Sequence, residues 1–309
     1  MIENLLTPGK PIADISPELE NAIAAVRSMP PRAQDAIREI LESANDLTQT
    51  GADATLTDVL QRVFVRSVGE FFTTQRQSTQ MPEALIHYIL PVDDGIILPE
   101  PSETIKAALG DVLGARKSVR NFSTTPMTLQ ELSDLLHHSA GRRDVEAGYG
   151  IKDVPLFRYP SIGGLNSVDL GVVVNRVEGL ESGFYRYDPV GHKLTLHDRG
   201  DSRLAVQDVT FEAEWLFHAQ VVLVLIHNLD KVSWKYKTRS LRFSHVDLGA
   251  IMQNLYLVST SMNFACCAVA GFFDERANDL FKLDGTRQFV SLLMGVGPMG
   301  RLTLAESEQ

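Results

Sequence analysis

The chain has 309 residues, of which 44% are hydrophobic and 22% charged, and its formal net charge is −10. This composition is typical of a soluble globular protein with one large domain or two modest ones. The negative charge argues against a nucleic-acid partner, because binding to a phosphate backbone requires a basic surface. The densest basic stretch, residues 231–242, holds five Lys or Arg. It suits a phosphate group or an acidic partner better than a duplex.

The cysteines and the N-terminus narrow the class of protein further. The two cysteines, Cys266 and Cys267, are adjacent, and disulfide geometry strains a neighbouring pair. Because no Cys-x-x-Cys and no histidine cluster occurs, we expect no metal site. The first residues lack the basic and apolar regions of a signal peptide, and the longest aliphatic run, residues 221–226, is too short to cross a bilayer. We therefore expect a cytoplasmic protein.

The first third of the chain is predicted to be mainly helical. Apolar residues recur at helical spacing in three segments, which predict helices over residues 17–29, 33–45 and 57–73. Residues 91–103 carry three prolines and predict an extended connector. We interpret residues 1–104 as a helical extension, which serves as a packing or dimerisation layer or as a docking surface for a partner.

From residue 105 onwards, strands and helices alternate irregularly, which is typical of an α+β protein. Thr128 followed by Glu131 predicts a capping box at a helix start. Residues 141–149 are polar and predict a mobile loop. The predicted helices cover residues 128–138, 208–217, 245–262 and 274–283. The predicted strands cover residues 170–175 and 184–187, which form a hairpin, and residues 220–227, 264–270 and 288–296.

Three short stretches could carry chemistry. Arg116, Ser118 and Arg120, with Lys117 between them, point the same way in an extended segment and could bind one phosphate. A solvated surface segment is the alternative. Pro160-Ser161 and Gly163-Gly164 form a turn that approaches a ligand closely or serves as scaffold, and the residues alone slightly favour scaffold.

The third stretch is the basic one. Lys235 and Tyr236 stand among further cations. A lysine beside other cations or in an apolar pocket can act as a general base. The alternative interpretation is a basic loop that binds phosphate or solvent.

In this order, the motifs resemble those of SagB-type dehydrogenases, flavin enzymes of the nitroreductase superfamily, over about residues 105–301. The resemblance rests on R-x-S-x-R-x-F at residues 116–122, P-S-x-G-x-L at 160–165, and V-x-R-V-x-G-L-x-x-G-x-Y-x-Y-D-P at 174–189. Further similarities are A-x-x-Q-N-L at 250–255, G-F before Asp274 and the closing V-G at 296–297. The family's L-Y-P-x-E is replaced by residues 165–169, LNSVD, which we expect to alter the substrate pocket.

The resemblance implies a nitroreductase-like α+β fold, with a central, mostly antiparallel sheet flanked by helices in an interlocked homodimer, over residues 105–309. It implies FMN as the cofactor, with its phosphate held by the residues of the 116–120 segment. Pro160, Ser161, Gly163 and Gly164 would line the flavin ring from the opposite subunit. Backbone N–H groups at Ala270 and Gly271 would face flavin N5, and Arg301 would reach the phosphate.

The implied activity is oxidation of a peptidyl thiazoline or oxazoline to the azole in natural-product biosynthesis. In azoline dehydrogenases a Lys-Tyr pair is implicated in substrate deprotonation, and here this pair would be Lys235 and Tyr236. Hydride would pass to flavin N5 and dioxygen would reoxidise the flavin. The peptide would be ribosomal or tethered to a peptide-synthetase carrier protein, with a cyclodehydratase as a further partner. Alternatives are an NAD(P)H-dependent nitro or quinone reductase, a peptide desaturase, or a non-catalytic partner of a biosynthetic complex.

Overall fold

The structure is a computed structural model that describes residues 17–49, 55–66, 79–103 and 105–300. The chain divides into two compact units, residues 1–74 and 75–309. The predicted boundary after residue 104 falls inside the second unit, and the division into extension and catalytic domain stays a prediction. Among the described residues, no helix combines the length and the apolar character that a membrane crossing needs.

Helices make up the first unit where it is described: α1 (Pro17–Ser28), α2 (Pro31–Gln49) and α3 (Leu56–Arg66). Neighbouring helices pack together, and Ile23 and Val59 are buried. Helix α2 begins at Pro31, earlier than predicted, because a proline in the first turn has no hydrogen bond to lose. The last predicted residues of the third helix, 67–73, lie outside the described part of the chain.

A seven-stranded antiparallel sheet is the centre of the second unit. The strands described in this unit are β1 (Ile96–Ile97), β2 (Arg142–Gly148), β3 (Ile151–Phe157), β4 (Val168–Val174), β5 (Gly183–Asp188), β6 (Lys193–Arg199), β7 (Val221–Asn228), β8 (Phe264–Val269) and β9 (Gln288–Pro298). The sheet order is β1-β6-β5-β4-β7-β9-β8, and every pairing is antiparallel. Strands β2 and β3 form a separate hairpin.

Helices cover both faces of the sheet. They are α4 (Leu109–Ala115), α5 (Leu129–Ala140), α6 (Arg203–Asp208), α7 (Asp230–Tyr236), α8 (Ser240–Ser261) and α9 (Asp274–Leu280). Strand β7 shows why its apolar run is unbroken. Leu223 and Leu225 join the core on the α5 and α8 side, whereas Val224 and Ile226 join the core on the opposite side, with α6 and α9. A strand buried on both faces has no polar face to present.

The α+β class, the antiparallel sheet flanked by helices and the capping box of α5 are confirmed. Residues 141–149 are not a loop, since most of them form β2. All but the last residue of this strand are exposed, so it lacks the apolar alternation by which a strand is recognised. Helix α8 begins at Ser240 rather than at His245, because α7 and a 3-10 turn lead into it without a connector. The predicted helix at 208–217 is replaced by α6 and a 3-10 helix, Glu214–His218.

Candidate active site

Lys235 and Tyr236 occupy the last turn of α7. The Lys235 amine donates a hydrogen bond to the Tyr149 hydroxyl oxygen over 2.5 Å and lies 4.2 Å from the centre of the Tyr149 ring. The centre of the Tyr236 ring is 5.2 Å from the same amine. The two predicted catalytic residues therefore lie beside a phenol ring to which the sequence analysis gave no role.

Tyr149 is the first central residue of the turn between β2 and β3. Its φ is 53° and that of Gly150 is 78°. A two-residue hairpin turn of type I′ requires positive φ at both central positions. Such turns favour Asn-Gly or Asp-Gly. With tyrosine in the first position, the sequence lacks this usual indication of a hairpin turn. The Tyr149-Gly150 pair between two strand-length segments is the clue that the sequence offered.

The predicted glycine turn reaches the same point. Gly163 and Gly164, in the 3-10 turn Ile162–Gly164, both have a φ of 67°. The Tyr149 hydroxyl donates to the Gly163 carbonyl oxygen over 2.7 Å, and a Cβ added to Gly163 would overlap the Tyr236 hydroxyl. Tyr149, Gly163, Lys235 and Tyr236 are called the Lys235 cluster below. One cluster thus joins the predicted flavin wall to the predicted acid–base pair.

Burial keeps the phenol of Tyr236 protonated. This side chain is 5% exposed, and desolvation, followed by the neighbouring Tyr149, raises the pKa of Tyr236 well above its usual value. Its ring also packs edge-on against Phe243, with 5.0 Å between the ring centres. Tyr236 is therefore held as a hydrogen-bond donor at neutral pH.

Asp247 anchors the glycine turn, and the sequence analysis did not identify it. Its carboxylate accepts hydrogen bonds from the Ser161 hydroxyl over 2.7 Å, the Ile162 N–H over 2.8 Å and the Ser167 hydroxyl over 2.7 Å. Asp247 is 1% exposed, and burial raises the pKa of its carboxyl group while these hydrogen bonds oppose the rise. A buried acceptor with several donors fixes the turn in one conformation.

The departure from the family pattern at residues 165–169 has a structural role. Ser167 is one of the donors to Asp247, and the Asn166 N–H donates to the Ser161 hydroxyl over 2.9 Å. The Tyr159 hydroxyl in turn donates to the Asn166 side chain. Both Asn166 and Ser167 are buried. These residues hold the glycine turn from behind, whereas their effect on substrate choice stays a prediction.

The predicted phosphate-binding residues, 116–120, are called the phosphate segment and run in extended form directly after α4. The Val119 N–H donates to the Cys266 carbonyl oxygen over 2.9 Å, so the segment lies along β8. The Arg116 guanidinium is 5.4 Å from the centre of the Tyr256 ring, and that of Arg120 is 5.7 Å from the centre of the Trp215 ring. Lys117 and Ser118 are exposed between them. The two arginines thus lie over different aromatic rings.

Tyr256 connects this segment to β8, the strand that leads to the predicted flavin contact. Its hydroxyl lies 3.1 Å from the Ser118 hydroxyl and accepts a hydrogen bond from the Ala268 N–H over 2.9 Å. The sequence analysis gave Tyr256 no role in the site. Ala270 and Gly271 follow β8 directly and are exposed. Arg301 lies outside the described residues.

The predicted site residues therefore form two groups, each beside a different residue of α8. Asp247, behind the Lys235 cluster, and Tyr256, beside the phosphate segment, are nine positions apart on α8. At 1.5 Å and 100° per residue, this spacing puts them about 14 Å apart on opposite sides of the helix. The chain thus presents two separated groups of candidate residues, the Lys235 cluster and the cations of residues 116–120, which are called the half-sites below.

Comparison with known proteins places these residues in a family context. The model of the Nitroreductase family matches residues 113–298, which include every predicted site residue except Arg301. A Methanocaldococcus jannaschii protein described as a nitroreductase is 31% identical over 192 residues, covering 61% of this chain and 90% of that protein.

Two solved structures are similar in fold. One, from Ralstonia eutropha and also described as a nitroreductase, is 26% identical with a TM-score of 0.54, and the match covers 69% of this chain and 96% of that chain. The other is the E. coli microcin synthetase McbBCD complex with truncated pro-MccB17 bound. It is 18% identical with a TM-score of 0.53, and the match covers 94% of this chain and 99% of that chain.

Proposed function

Because the chain belongs to the nitroreductase family, whose members are flavin-type oxidoreductases, we propose that it is an FMN-dependent oxidase that converts a peptidyl thiazoline or oxazoline into the aromatic azole. The Lys235 cluster carries this proposal. It sets an amine, held by the Tyr149 hydroxyl at 2.5 Å, against the glycine turn that is expected to form the flavin wall. Removal of a carbon-bound proton beside a hydride acceptor needs a base in this position.

The residues of the phosphate segment fit FMN by their chemistry. Arg116, Lys117 and Arg120 supply positive charge, and Ser118 supplies a hydroxyl donor. Charge-assisted hydrogen bonds to phosphate are among the strongest that proteins make. When bound, FMN would supply the acceptor for the hydride, with dioxygen as the final oxidant. Pro160, Ser161, Gly163 and Gly164 would line its ring on one side, and Ala270 and Gly271 on the other.

Lys235 would take the proton. Formation of the azole breaks two C–H bonds on adjacent ring carbons, one as a proton and one as a hydride, and makes one carbon–carbon double bond between them. The raised pKa of Tyr236 keeps its hydroxyl protonated, which argues against a tyrosinate base. Tyr236 would instead hold the substrate ring against the base.

A homodimer would bring the two half-sites together. Asp247 and Tyr256 lie on opposite sides of α8, so one chain directs its Lys235 cluster and its phosphate segment away from each other. Val246 on the same helix is 54% exposed, and Leu109 and Leu113 on α4 are 64% and 51% exposed. Apolar side chains in such positions favour a partner surface.

The McbBCD structure, which matches 94% of this chain and has truncated pro-MccB17 bound, supports a peptide as the substrate class. The heterocycle would therefore be presented within a peptide, either ribosomal or tethered to a carrier protein.

Anaerobic reduction of the FMN-loaded protein tests the proposal. Peptides that contain one thiazoline or oxazoline, free or attached to a carrier protein, are mixed with the protein, and flavin bleaching is followed with product mass. We expect bleaching and a mass loss of about two hydrogens in the peptide, as the stoichiometry above requires. Rapid bleaching by NADH or NADPH with no azole formed would instead support a nitro or quinone reductase. Failure to bind added FMN would support a non-catalytic partner protein.

A further inference from the structure

The β2–β3 hairpin delivers Tyr149 to the Lys235 amine, and the geometry points to Tyr149 as a positioning residue for the base. This inference rests on the proposed function, in which Lys235 accepts the substrate proton. The hairpin itself is a separate two-stranded sheet, and six of the seven residues of β2 are exposed. Its turn is nevertheless fixed to the remainder of the unit at Tyr149.

The direction of each hydrogen bond at Tyr149 follows from the groups that take part in it. A phenol has one proton to donate and two lone pairs that accept. The Tyr149 proton goes to the Gly163 carbonyl oxygen at 2.7 Å, which has no proton to offer in return. The 2.5 Å contact with Lys235 must therefore be donated by the amine. A neutral lysine that donates in this direction keeps its own lone pair for the substrate.

The aromatic ring of Tyr149 also contacts the Lys235 amine. The Lys235 amine lies 4.2 Å from the ring centre, within the range of a cation–π interaction. Trp234 packs edge-on against the same ring, with 5.5 Å between the ring centres and an interplanar angle of 89°, and limits its movement. The ring and the hydroxyl of Tyr149 thus both contact the Lys235 amine and hold it in one position.

The backbone of Tyr149 adopts an unfavourable conformation. Tyr149 has a φ of 53°, a left-handed conformation that is rare for a bulky aromatic residue. Asparagine or aspartate would adopt it at lower cost. The turn is held from outside, because the Met81 N–H donates to the Tyr149 carbonyl oxygen over 3.0 Å. Unfavourable backbone geometry that the surroundings enforce is a feature of functional positions. At Tyr149, this backbone geometry allows the side chain to contact Lys235.

Two variants separate the side chain of Tyr149 from the strain of the turn. Tyr149→Phe keeps the ring and removes the hydroxyl, and Tyr149→Asn removes the whole phenol while relaxing the turn. We expect Tyr149→Asn to melt at the same temperature as the parent protein or higher. We expect both variants, loaded with FMN, to show flavin reduction by the azoline peptide that is slower by about tenfold to 100-fold, with an unchanged substrate dissociation constant.

A double-mutant cycle shows whether Tyr149 acts through Lys235. In the Lys235→Ala background, Tyr149→Phe should cause no further loss of rate, because the amine that it positions is absent. An equal loss in both backgrounds would overturn the inference, as would a full rate in Tyr149→Phe.

A labelling experiment tests the positioning without catalysis. The FMN-loaded parent protein and Tyr149→Phe are treated with an acylating reagent, and modification of each lysine is followed by mass spectrometry. Lys235 should react about threefold faster in the variant, because it has lost a hydrogen bond. The exposed Lys237 serves as the internal control and should react equally in both. Equal reaction of Lys235 in both proteins would contradict the positioning role. This result is independent of substrate, so it also distinguishes failure of the inference from failure of the proposed oxidation.

Discussion

The two half-sites differ in how completely the chain itself supplies their contacts. In the Lys235 cluster, the amine and the Tyr149 hydroxyl each have a partner in the same chain, and Asp247 fixes the adjoining turn. In the phosphate segment, Lys117 and Ser118 are exposed, and the arginines lie over aromatic rings. A preassembled cluster favours chemistry, since its groups are positioned before substrate binds. A segment with exposed donors favours binding, because the ligand completes it.

The largest expected effect separates these two roles. Lys235→Ala should slow azoline oxidation by about 100-fold or more, the usual contribution of a general base. FMN should remain bound with the same dissociation constant, because Lys235 is not in the phosphate segment. Stopped-flow reduction and a flavin titration measure the two quantities, with Lys237→Ala as the matched control. Normal oxidation by Lys235→Ala would mean that Lys235 is not the base.

The converse variant should affect binding instead. Arg116→Ala removes a cation from the phosphate segment and should weaken FMN binding by about tenfold to 100-fold, the range for a hydrogen bond to a charged group. At saturating FMN, its rate of substrate oxidation should be normal. Arg143→Ala, a change at an exposed arginine of the hairpin, controls for loss of net charge. If both variants weaken FMN binding equally, the effect is one of overall charge and not of a site.

A pair of glycine variants sharpens the description of the Lys235 cluster. Gly163 and Gly164 share a φ of 67°, so alanine strains both equally, by about 1 kcal/mol. A Cβ at Gly163 would overlap the Tyr236 hydroxyl, whereas at Gly164 it would lie 3.5 Å from Leu156 Cδ2, an ordinary contact. We expect Gly163→Ala to lose more stability than Gly164→Ala in urea unfolding, because the overlap adds to the backbone strain, and Gly163→Ala alone to lose about tenfold in oxidation rate. Equal rates in the two variants would show that the position of Tyr236 does not matter.

The smallest expected effect is on how the free energy of unfolding depends on pH, through a histidine that lies behind the Lys235 cluster. His227 is fully buried, with Nδ1 2.6 Å from the Ser244 hydroxyl, and burial, followed by the nearby His245, lowers the pKa of His227 from 6.5 to about 3. Below pH 6.5 the unfolded chain binds a proton here that the folded chain does not. The free energy of unfolding should therefore fall by about 1 kcal/mol for each pH unit below 6.5 on account of this group.

Urea unfolding between pH 7 and pH 4.5 measures this dependence. His227→Gln, which keeps a hydrogen-bonding group for Ser244, should have a shallower slope than the parent protein. His137, whose pKa burial lowers to about 4, contributes in the same direction and remains in both proteins. An unchanged slope in His227→Gln would show that His227 is not a source of the acid sensitivity.

The sequence determined the core of the fold, because local patterns report burial directly. The unbroken apolar run of β7, the β-branched residues of β4 and the Thr128–Glu131 capping box each depend on residues close in sequence. The glycine turn at Gly163-Gly164 and the Lys-Tyr pair were visible because their residue types are unusual at such positions. The order of the motifs indicated the nitroreductase superfamily, which the comparison identified, whereas the SagB-type subfamily stays a prediction.

Only the tertiary structure decided which of these residues meet. Tyr149 and Lys235 are in contact although they are 86 positions apart in the sequence, and the same separation applies to Asp247 and Ser161. No local pattern encodes such contacts, because they depend on how the sheet and α8 pack. The exposed β2 gave no periodic signal, so the turn that carries Tyr149 was predicted as a loop. The sequence alone thus named the candidate groups for the proton and the phosphate, and packing around α8 decided that they lie in two separate groups.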